Sequence, residues 1–322
     1  MLFRSGPVNE ITIVNNELQL ADKFGKPDAN TAETFFTAAN FLSYSGALQV
    51  VRAGSNTSFN ATSGSIGVLI NNRDDYELNY LNLSANNYAG AFAARYPGSK
   101  GNSIAVSFAD SATFTGWTAT IAGSTVDCAA LFDAAPSTSS WALSQGGSND
   151  EMHVVVIDTD GKFTGASGTV LETFAFLSKA ADASLNGSSN YYKQVIFNQS
   201  NYVYAVDPVS YTSTNSTWGQ NAAGTAFATL TGVQTITLTN GTDEAVTDGN
   251  LENAYDLFAN KETIDISLVI TGDASVEVQQ YVIDNIVNSR KDCVAFVSPP
   301  LTAVDNVNYS QTTGIQTWLT SL

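Results

Sequence analysis

The chain begins and ends with the same arrangement of strand, helix and strand. EITIV (10–14) and ALQVVRA (47–53) are apolar and rich in β-branched residues, and the helix-forming segment NTAETFFTAANFLSYSG lies between them. TIDISLVI (263–270) and CVAFV (293–297) flank DASVEVQQYVIDNIVNSR in the same way. Because a strand that returns through a helix lies parallel to the first strand, each end predicts a βαβ unit in a parallel sheet.

Each of the two predicted helices carries an apolar stripe at helical spacing. In the first, Asn30 and Glu33 have the spacing of a capping box, in which both side chains accept hydrogen bonds from free backbone amides. Gly46 provides the flexible residue at which this helix can end. The stripes predicted to be buried are Ala32, Phe35, Ala39 and Leu42 in the first helix, and Val278, Tyr281, Val282 and Ile286 in the second.

The middle of the chain has a different composition. From about residue 96 to 146 it is rich in glycine, serine, threonine and alanine, with short alternating runs that suit small strands joined by turns. Four runs predict strands: NSIAVSFAD (102–110), GWTATIAG (116–123), YVYAVD (202–207) and TITLTNG (235–241). GTVLETFAFLSKAADA is interpreted as a helix, because Thr169 and Glu172 have the spacing of a second capping box.

These patterns predict an α/β protein with a β-rich insert. Residues 1–87 and 249–322 are expected to form one discontinuous α/β domain that contains both βαβ units. Residues 88–248 are expected to form an inserted β-sandwich-like domain with flanking helices, which folds around a core of its own.

The balance of charges limits the possible partners. The chain has 30 acidic and 13 basic residues, a net charge of −17, and its few lysines and arginines are scattered. Phosphate backbones and anionic membrane surfaces would be repelled, so we expect no nucleic-acid binding and no direct membrane binding. The two cysteines, Cys128 and Cys293, lie far apart, which favours two reduced thiols over a disulfide framework.

The stretch DEMHVVVIDTDGKFTG (150–165) contains the only histidine of the chain. His153 lies in an apolar run and is interpreted as a structural residue of a strand. Asp158 and Asp160 do not continue into a calcium loop, because position five is Lys162 and position twelve is Thr169. Asp-Gly between strand-like residues predicts a tight hairpin turn instead, in which His153 and Asp158 would tolerate replacement by Gln and Asn.

No motif in the chain assembles a recognisable active site. GTAFA (224–228) is similar to the nucleophile turn of subtilisin-like proteases, but Ala226 stands at the serine position and has no hydroxyl. The sequence has no phosphate-binding glycine-rich loop followed by Lys-Ser/Thr, and no Cys/His cluster with metal spacing. We therefore predict no catalytic residue, no cofactor-binding residue and no metal ligand, and no cofactor.

Several long motifs, in order, resemble the contractile tail sheath proteins of myovirus-type bacteriophages. The N-terminal segment of that family is similar to GPVNEITIV, KFGKP, ETFFTAANFLSY and LQVVRA. ARYPGSKGNSIAVS (94–107) resembles the entry into its next domain, and DLFANKETIDISLVI with RKDCVAFVSPP resembles its later core. DEMHVVVIDTDGKFTGASGTVLETF also has the character of the sheath subfamily.

The resemblance implies a structural protein and not an enzyme. Sheath subunits build stacked hexameric rings around a tail tube, and contraction of the rings drives the tube into the host. One domain of the family has a subtilisin-like topology, which matches two βαβ units without a serine. The implied partners are other copies of the subunit, the tail tube protein, and the baseplate and tail terminator proteins. The implied location is the virion tail, after assembly in the host cytoplasm.

The resemblance also leads to an expectation about the ends of the chain. The family has an N-terminal arm before the GPVNE-like segment and a long portion after the SPP-like segment, and these arms add strands to a neighbour's sheet. This sequence runs from MLFRSG to SL322, so it is interpreted as truncated at both ends and expected to be monomeric at micromolar concentration.

Two other functions stay open at this point. A hydrolase could use His153 with a nucleophile that no motif reveals, and it would show turnover. A glycan-binding β-domain could use Tyr191, Tyr192 and Trp218, and it would show affinity for sugars. A sheath subunit predicts neither.

Overall fold

The structure is a computed structural model that describes residue 3 and residues 5–81, 90–121, 123–206, 217–243, 245–305 and 310–322. The chain forms two units. Unit 1 contains Met1–Asn56 and Glu244–Leu322, and unit 2 contains Thr57–Asp243. Unit 1 therefore draws on both ends of the sequence, and unit 2 is formed by the middle.

Short helices and strands alternate through both units. The described helices are α1 (Glu17–Phe24), α2 (Ala32–Leu42), α3 (Arg73–Asn79), α4 (Ser140–Ser144), α5 (Tyr192–Gln199), α6 (Asp248–Asp256), α7 (Val276–Tyr281), α8 (Asn288–Arg290), α9 (Leu301–Val304) and α10 (Gln311–Ser321). The described strands are β1 (Thr12–Val14), β2 (Leu48–Val50), β3 (Phe92–Ala94), β4 (Ile104–Asp110), β5 (Thr118–Ile121), β6 (Ser124–Asp127), β7 (Glu151–Asp158), β8 (Thr169–Ser178), β9 (Ser184–Leu185), β10 (Ser188–Ser189), β11 (Val203–Ala205), β12 (Gln234–Thr237), β13 (Leu268–Ile270) and β14 (Val294–Phe296). A π-helical segment, Val282–Val287, joins α7 to α8. The fold is a mixed α/β arrangement of small sheets and helices.

The first predicted βαβ unit is wrong in its strand direction. β1 and β2 pair antiparallel, with Thr12 opposite Val50 and Val14 opposite Leu48. The connection contains two helices, α1 and α2, whereas only one helix was predicted there. β2 therefore starts beside the end of β1, where Leu48 lies opposite Val14.

The second predicted βαβ unit has the expected direction. β13 and β14 pair in parallel, with Leu268 opposite Val294 and Ile270 opposite Phe296. The helical segment between them begins at Ser275, whose side chain accepts a hydrogen bond from the Val278 amide. Three of the four predicted stripe residues, Val278, Val282 and Ile286, are fully buried.

The start of α2 differs from the predicted capping box. The residue before the helix is Thr31, and its side chain makes no capping bond to the helix. Asp28 organises the entry instead, because its carboxylate accepts hydrogen bonds from the backbone amides of Asn30 and Thr31. Phe35 is buried as predicted, but Ala38 occupies the buried face where Ala39 was expected.

The described residues of unit 1 form three small apolar cores. The first lies between α1, α2 and the strands β1 and β2. The second joins Val51 and Ala53, which follow β2, to α6 and the π-helical segment. The third packs Val269 of β13 against Val282 and Cys293.

Unit 2 is built around a four-stranded antiparallel sheet in the order β12-β4-β7-β8. Every residue of β4 is buried. Its alternate residues point into different cores: Ile104, Val106 and Phe108 into the largest cluster, and Ala105 and Ala109 into a cluster around Trp117. The central sheet is thus covered on both faces, and the other sheets of the described part of unit 2 have two strands each, so the arrangement differs from the expected β-sandwich-like domain.

Residues that precede the predicted insert also belong to unit 2. The expected boundary between residues 87 and 88 lies outside the described residues. Before it, Thr62 pairs with Ala93 of β3. Tyr76 of α3 stacks on Tyr204 with ring centres 4.1 Å apart, and its hydroxyl donates to the Ala205 carbonyl. These contacts explain why the unit starts at Thr57.

The segment GTVLETFAFL, predicted as a helix, is the strand β8. Its β-branched and aromatic residues pair along β7, with Thr169 opposite Asp158 and Leu177 opposite Met152. The Glu172 carboxylate accepts hydrogen bonds from the Ser200 hydroxyl and the Asn201 amide, so it does not cap a helix. Long-range strand pairing outweighs the local capping pattern at this place.

Candidate interaction surface and the predicted site residues

His153 lies in β7 and is fully buried. Its Nδ1 accepts a hydrogen bond from the Phe176 amide at 2.9 Å, and its Nε2 lies 2.9 Å from the Ala134 carbonyl. Because Nδ1 is an acceptor here, the ring is neutral and carries its proton on Nε2. Phe132 stacks on the ring with centres 4.1 Å apart. Both nitrogens have partners, which supports the structural interpretation of this histidine.

Burial lowers the pKa of His153 below its ordinary value, although the Ala134 carbonyl acts in the opposite direction. Protonation of Nδ1 would place an N–H against the N–H of Phe176. Phe176 itself has a positive φ of 52°, which is uncommon for a bulky residue. The hydrogen bond to His153 therefore holds a locally strained backbone in place.

Asp158 is buried at the end of β7 and anchors the loop that follows. Its carboxylate accepts hydrogen bonds from the hydroxyls of Ser103 and Thr164 and from the amides of Lys162, Phe163 and Thr164. Burial alone would raise the pKa of this carboxyl, but these hydrogen bonds together lower it. Donors surround the oxygens that a cation would need, so the arrangement is unsuited to calcium.

The hairpin between β7 and β8 is present, but the predicted tight turn is wrong. The connection runs from residue 159 to residue 168, and Gly168 donates its amide to the Asp158 carbonyl. Gly161 has a φ of +72° and packs closely against the Ala166 backbone, which leaves no room for a side chain. The Asp-Gly pair thus belongs to a wide loop that the Asp158 carboxylate organises.

Residues of the two rival functions lie in structural positions. The backbone of GTAFA joins residue 148, where Ser148 donates its amide to the Thr225 carbonyl and Ala226 forms a bridge with Ser148. Tyr192 and Trp218 are 1% and 5% exposed, so their faces are not open to a sugar. In the described part of the chain, no group of three or more His, Cys, Asp or Glu side chains could hold a metal ion.

Unit 2 contains a buried ion pair that the sequence analysis did not predict. The Lys179 ammonium donates to the Asp110 carboxylate at 2.8 Å, and both side chains are fully buried. The Asn149 and Ala228 carbonyls accept the other two ammonium bonds. Burial lowers the pKa of Lys179, and Asp110 counteracts part of that shift. No local pattern pairs residues this far apart in sequence.

Both cysteines are free and buried. Cys128 lies in the core around Trp117 in unit 2, and burial raises the pKa of its thiol to about 11. Cys293 lies in the third core of unit 1, where burial also raises its pKa. Neither thiol is ionised at neutral pH, so both are poor nucleophiles.

Unit 1 exposes one apolar face of its parallel strand pair. Val269 and Ala295 point into the third core, whereas Leu268, Val294 and Phe296 are 47%, 59% and 56% exposed. Parallel sheets in soluble proteins are covered on both faces. This open face of β13 and β14 is therefore a candidate interaction surface.

Unit 1 also contains a groove that is lined by residues of both β2 and β13. Its volume is about 520 Å³, within the range of ligand-sized pockets. Its lining includes residues 47–51, residues 265–270, and Leu251, Tyr255 and Phe258. The groove is lined mainly by apolar side chains, and Asp265 is the single charged residue among them.

Comparison with known proteins identifies sequence relatives. The chain is 33% identical over 170 residues to the tail sheath protein of Salmonella phage ViI, a match that covers 52% of this chain and 23% of that protein. It is 49% identical over 51 residues to the tail sheath protein of Enterobacteria phage T4, covering 16% of the chain and 8% of the relative. The chain is similar in sequence to phage tail sheath proteins. The predicted resemblance is therefore confirmed.

The match to the tail sheath protein of Vibrio phage KVP40 is longer, at 27% identity over 259 residues. It covers 76% of this chain but 35% of the relative, so the chain spans about a third of the length of this tail sheath protein. No model of a protein family matches the chain.

Comparison with solved structures finds two sheath tail proteins, both with TM-scores below 0.5. The sheath tail protein of Listeria innocua is 14% identical with a TM-score of 0.46, and the comparison covers 94% of this chain and 47% of that protein. The sheath tail protein of Desulfitobacterium hafniense is 12% identical with a TM-score of 0.40, covering 100% and 56%. In the part of the chain that the structure describes, no helix is long and apolar enough to span a membrane.

Proposed function

We propose that the chain is a structural subunit of a phage contractile tail sheath. In this proposal, copies assemble as stacked hexameric rings around a tail tube, and contraction of the rings drives the tube into the host. The observation that carries the proposal is the sequence similarity to proteins named tail sheath protein, at 33% identity over 170 residues and 27% over 259 residues.

The proposed partners are further copies of the subunit, the tail tube protein, and the baseplate and tail terminator proteins. The subunit would assemble in the host cytoplasm and remain in the virion tail. A net charge of −17 supports partners other than nucleic acid or an anionic membrane, since both would repel the chain. Contacts between like-charged copies would depend on apolar surfaces, and unit 1 exposes such a surface on β13 and β14.

We propose a mechanical role and no catalysis for both units. The parallel pair β13 and β14 with its helical connection is the element that a subtilisin-like topology of unit 1 would need. The protein would store energy in the difference between two packings of many identical interfaces, so its function would be spread over surfaces.

The proposal includes a domain division in which unit 2 is an insertion that folds independently. Its four-stranded sheet and its cores are formed within Thr57–Asp243. A fragment of residues 57–243 should unfold cooperatively in urea with the near-ultraviolet circular dichroism of packed aromatic residues. A fragment that lacks this signal, while the full chain retains it, would refute the division.

Location in the virion is the most direct test of the proposed function. Antibodies raised against the chain should label the whole tail shaft of phage particles whose genome encodes it, as seen by immunoelectron microscopy. The label should follow the shaft as the tail shortens on contraction. Label confined to the capsid, or absent from particles, would refute the role as a sheath subunit. Antibodies against the capsid protein of the same phage provide the control for specificity.

A further inference from the structure

Unit 2 carries an Asn-Gly pair at the tip of an exposed hairpin. The sequence contains Asn-Gly at residues 186–187 and again at residues 240–241. Asn186 and Gly187 form the two-residue turn between β9 and β10, with φ angles of 52° and 83°. Positive φ at both positions is typical of the tight turns that connect antiparallel strands. Both residues are exposed, so water reaches the turn.

The hairpin that carries this turn is short. Two residue pairs join β9 to β10, namely Leu185 with Ser188 and Ser184 with Ser189. In the described part of the chain, no third strand joins this sheet. A hairpin of two strands is marginally stable, so its tip opens at a low cost in free energy. The backbone around Asn186 therefore samples conformations other than that of the closed turn.

The reactive groups of this pair are not held by other parts of the protein. Among the described residues, neither the Asn186 side chain nor the Gly187 amide has a hydrogen-bond partner. Apart from the two chain neighbours of Gly187, none of the described residues has an atom within 4 Å of the point where a Cβ would lie on this glycine. The Gly187 nitrogen can therefore approach the Asn186 carboxamide carbon without displacing another group.

The second Asn-Gly pair is held in place by Asn102. The Gly241 amide donates to Oδ1 of Asn102 at 2.8 Å, and Nδ2 of Asn102 donates to the Gly241 carbonyl at 2.9 Å. Gly241 is buried, and a Cβ on it would lie 2.6 Å from the Gly98 carbonyl oxygen. The Asn240 side chain donates to the Gly64 carbonyl at 3.3 Å. The two pairs thus share a sequence but differ in whether the glycine nitrogen is free.

We propose that Asn186 is a site of spontaneous covalent modification. The Gly187 nitrogen attacks the Asn186 carboxamide carbon and forms a C–N bond, while the bond to Nδ2 breaks. The proton of the Gly187 amide passes to the leaving group, which departs as ammonia, and a five-membered succinimide remains. Water then opens the ring at either carbonyl. One opening gives aspartate, and the other gives isoaspartate, in which the backbone runs through the former side chain.

The modification changes the hairpin and creates a new chemical group. Isoaspartate adds one backbone carbon to a two-residue turn, so Leu185 and Ser188 lose their pairing geometry. Its free α-carboxylate is the group that isoaspartyl methyltransferases esterify with S-adenosylmethionine. Either product adds one negative charge to a chain that already carries −17. This proposal goes beyond the sheath function and does not depend on it.

Ageing of the full chain tests the proposal. The purified protein is kept in mildly alkaline buffer at body temperature for several days, then digested at acidic pH and mapped by mass spectrometry. The peptide that contains residue 186 should gain the mass difference between an amide and a carboxyl group. An isoaspartyl methyltransferase with labelled S-adenosylmethionine should label the same peptide. Asn240 should convert about tenfold or more slowly, because two hydrogen bonds to Asn102 must open first.

A variant of Asn102 provides the matched test on the protein. Asn102→Ala frees the Gly241 amide, so Asn240 should convert about tenfold faster than in the unchanged chain, while Asn186 keeps its rate. Asn186→Gln is the control and should remove the label at residue 186, because the longer side chain would have to close a six-membered ring. Near-ultraviolet circular dichroism shows whether Asn102→Ala is folded.

Amide hydrogen exchange of the unchanged chain gives a second measurement that needs no variant. The Gly187 amide should exchange about tenfold or more rapidly than the Gly241 amide, since only Gly241 donates to Asn102.

Several outcomes would overturn the proposal. An unmodified residue 186, or equal rates at residues 186 and 240, would show that the exposed turn does not determine reactivity. Aspartate without any methyltransferase label would refute the isoaspartate product. A folded Asn102→Ala variant with unchanged conversion at residue 240, or equal exchange of the two glycine amides, would show that Asn102 does not protect the second pair.

Discussion

The central sheet of unit 2 is covered on both faces, whereas the parallel strand pair of unit 1 is covered on one. Every residue of β4 is buried in unit 2, while Leu268, Val294 and Phe296 of unit 1 are about half exposed. Most of the large exposed apolar side chains of the described residues also lie in unit 1. Unit 2 buries the central strand of its sheet within itself. Unit 1 leaves an apolar face exposed that a partner can cover.

The two units differ in their polar interactions as well. Unit 2 buries Lys179, Asp110, His153 and Asp158 completely, and each has hydrogen-bond partners inside the unit. In unit 1, the pair formed by Arg290 and Asp292 leaves the Asp292 side chain 43% exposed. Buried polar groups make a fold specific but intolerant of change. Substitutions in unit 2 should therefore affect stability more than substitutions on the surface of unit 1.

The largest effect is expected from Lys179→Met, which leaves the Asp110 carboxylate buried without its cation. Breaking a buried ion pair costs about 3–5 kcal/mol of unfolding free energy. Urea unfolding followed by tryptophan fluorescence measures the loss in unit 2, which contains Trp117, Trp141 and Trp218, and far-ultraviolet circular dichroism follows both units. Asp292→Asn in unit 1 is the control and should cost no more than about 1 kcal/mol, because its pair is partly exposed. Equal losses would remove the contrast between the units.

Asp158→Asn should produce the next largest loss. The amide NH2 would replace one of the two carboxylate oxygens, so it would face either the Lys162 amide, which donates to Oδ1, or the Phe163 and Thr164 amides, which donate to Oδ2. We expect a loss of about 2 kcal/mol in urea unfolding. Asp160→Asn is the matched control, because Asp160 is exposed in the same loop, and it should change stability by less than about 0.5 kcal/mol. If Asp158→Asn left stability unchanged, the result would support the prediction from the sequence that this turn tolerates the substitution.

A smaller effect is expected from pH. The pKa of His153 is lowered in the folded protein, so the unfolded chain takes up a proton first as pH falls below about 6.5. Its contribution to stability is present above that pH and decreases as pH falls toward the lower folded pKa, by at most about 1.4 kcal/mol per pH unit. Urea midpoints from pH 8 to pH 5 should decline less steeply for His153→Gln than for the unchanged chain. If the urea midpoints of the two proteins declined in parallel with pH, this contribution of His153 to stability would be contradicted.

The smallest effect on the isolated chain is expected from the open face of unit 1. Phe296→Ser changes a side chain that is 56% exposed. The unfolding free energy, measured by urea unfolding, should therefore change by less than about 0.5 kcal/mol. Val269→Thr, on the covered face of the same sheet, should cost about 1–3 kcal/mol because it buries a hydroxyl. If the two substitutions lowered the unfolding free energy equally, the face that carries Phe296 would be covered within the chain and would not be an interaction surface.

Sequence reasoning worked where the signal is local and repeated. The segments NSIAVSFAD, GWTATIAG and YVYAVD, predicted as strands, contain β4, β5 and β11, and TITLTNG overlaps β12. The parallel β13–helix–β14 unit was also predicted correctly, because strong apolar strands flank a helix with a clear stripe. The likeness to tail sheath proteins was readable for the same reason, since it consists of contiguous motifs in order.

Sequence reasoning failed where a local pattern had two outcomes. Thr169 and Glu172 have capping-box spacing, yet pairing with β7 made their segment a strand. The missed helix α1 reversed the direction of β2 relative to β1. The candidate groove could not be found from sequence, because residues 47–51 and 265–270 meet through folding alone.

The sequence by itself determined the composition of the molecule: an acidic chain, without a recognisable catalytic motif, whose ends carry strand–helix–strand patterns and whose middle carries short β segments. The tertiary structure decided which strands pair, that Asp158 organises a wide loop, that Lys179 neutralises Asp110, and that unit 1 keeps an open groove. The physical reason is range. Periodicity, capping and turn preference act over a few residues, whereas strand pairing, burial and ion pairing depend on residues that only the folded chain brings together.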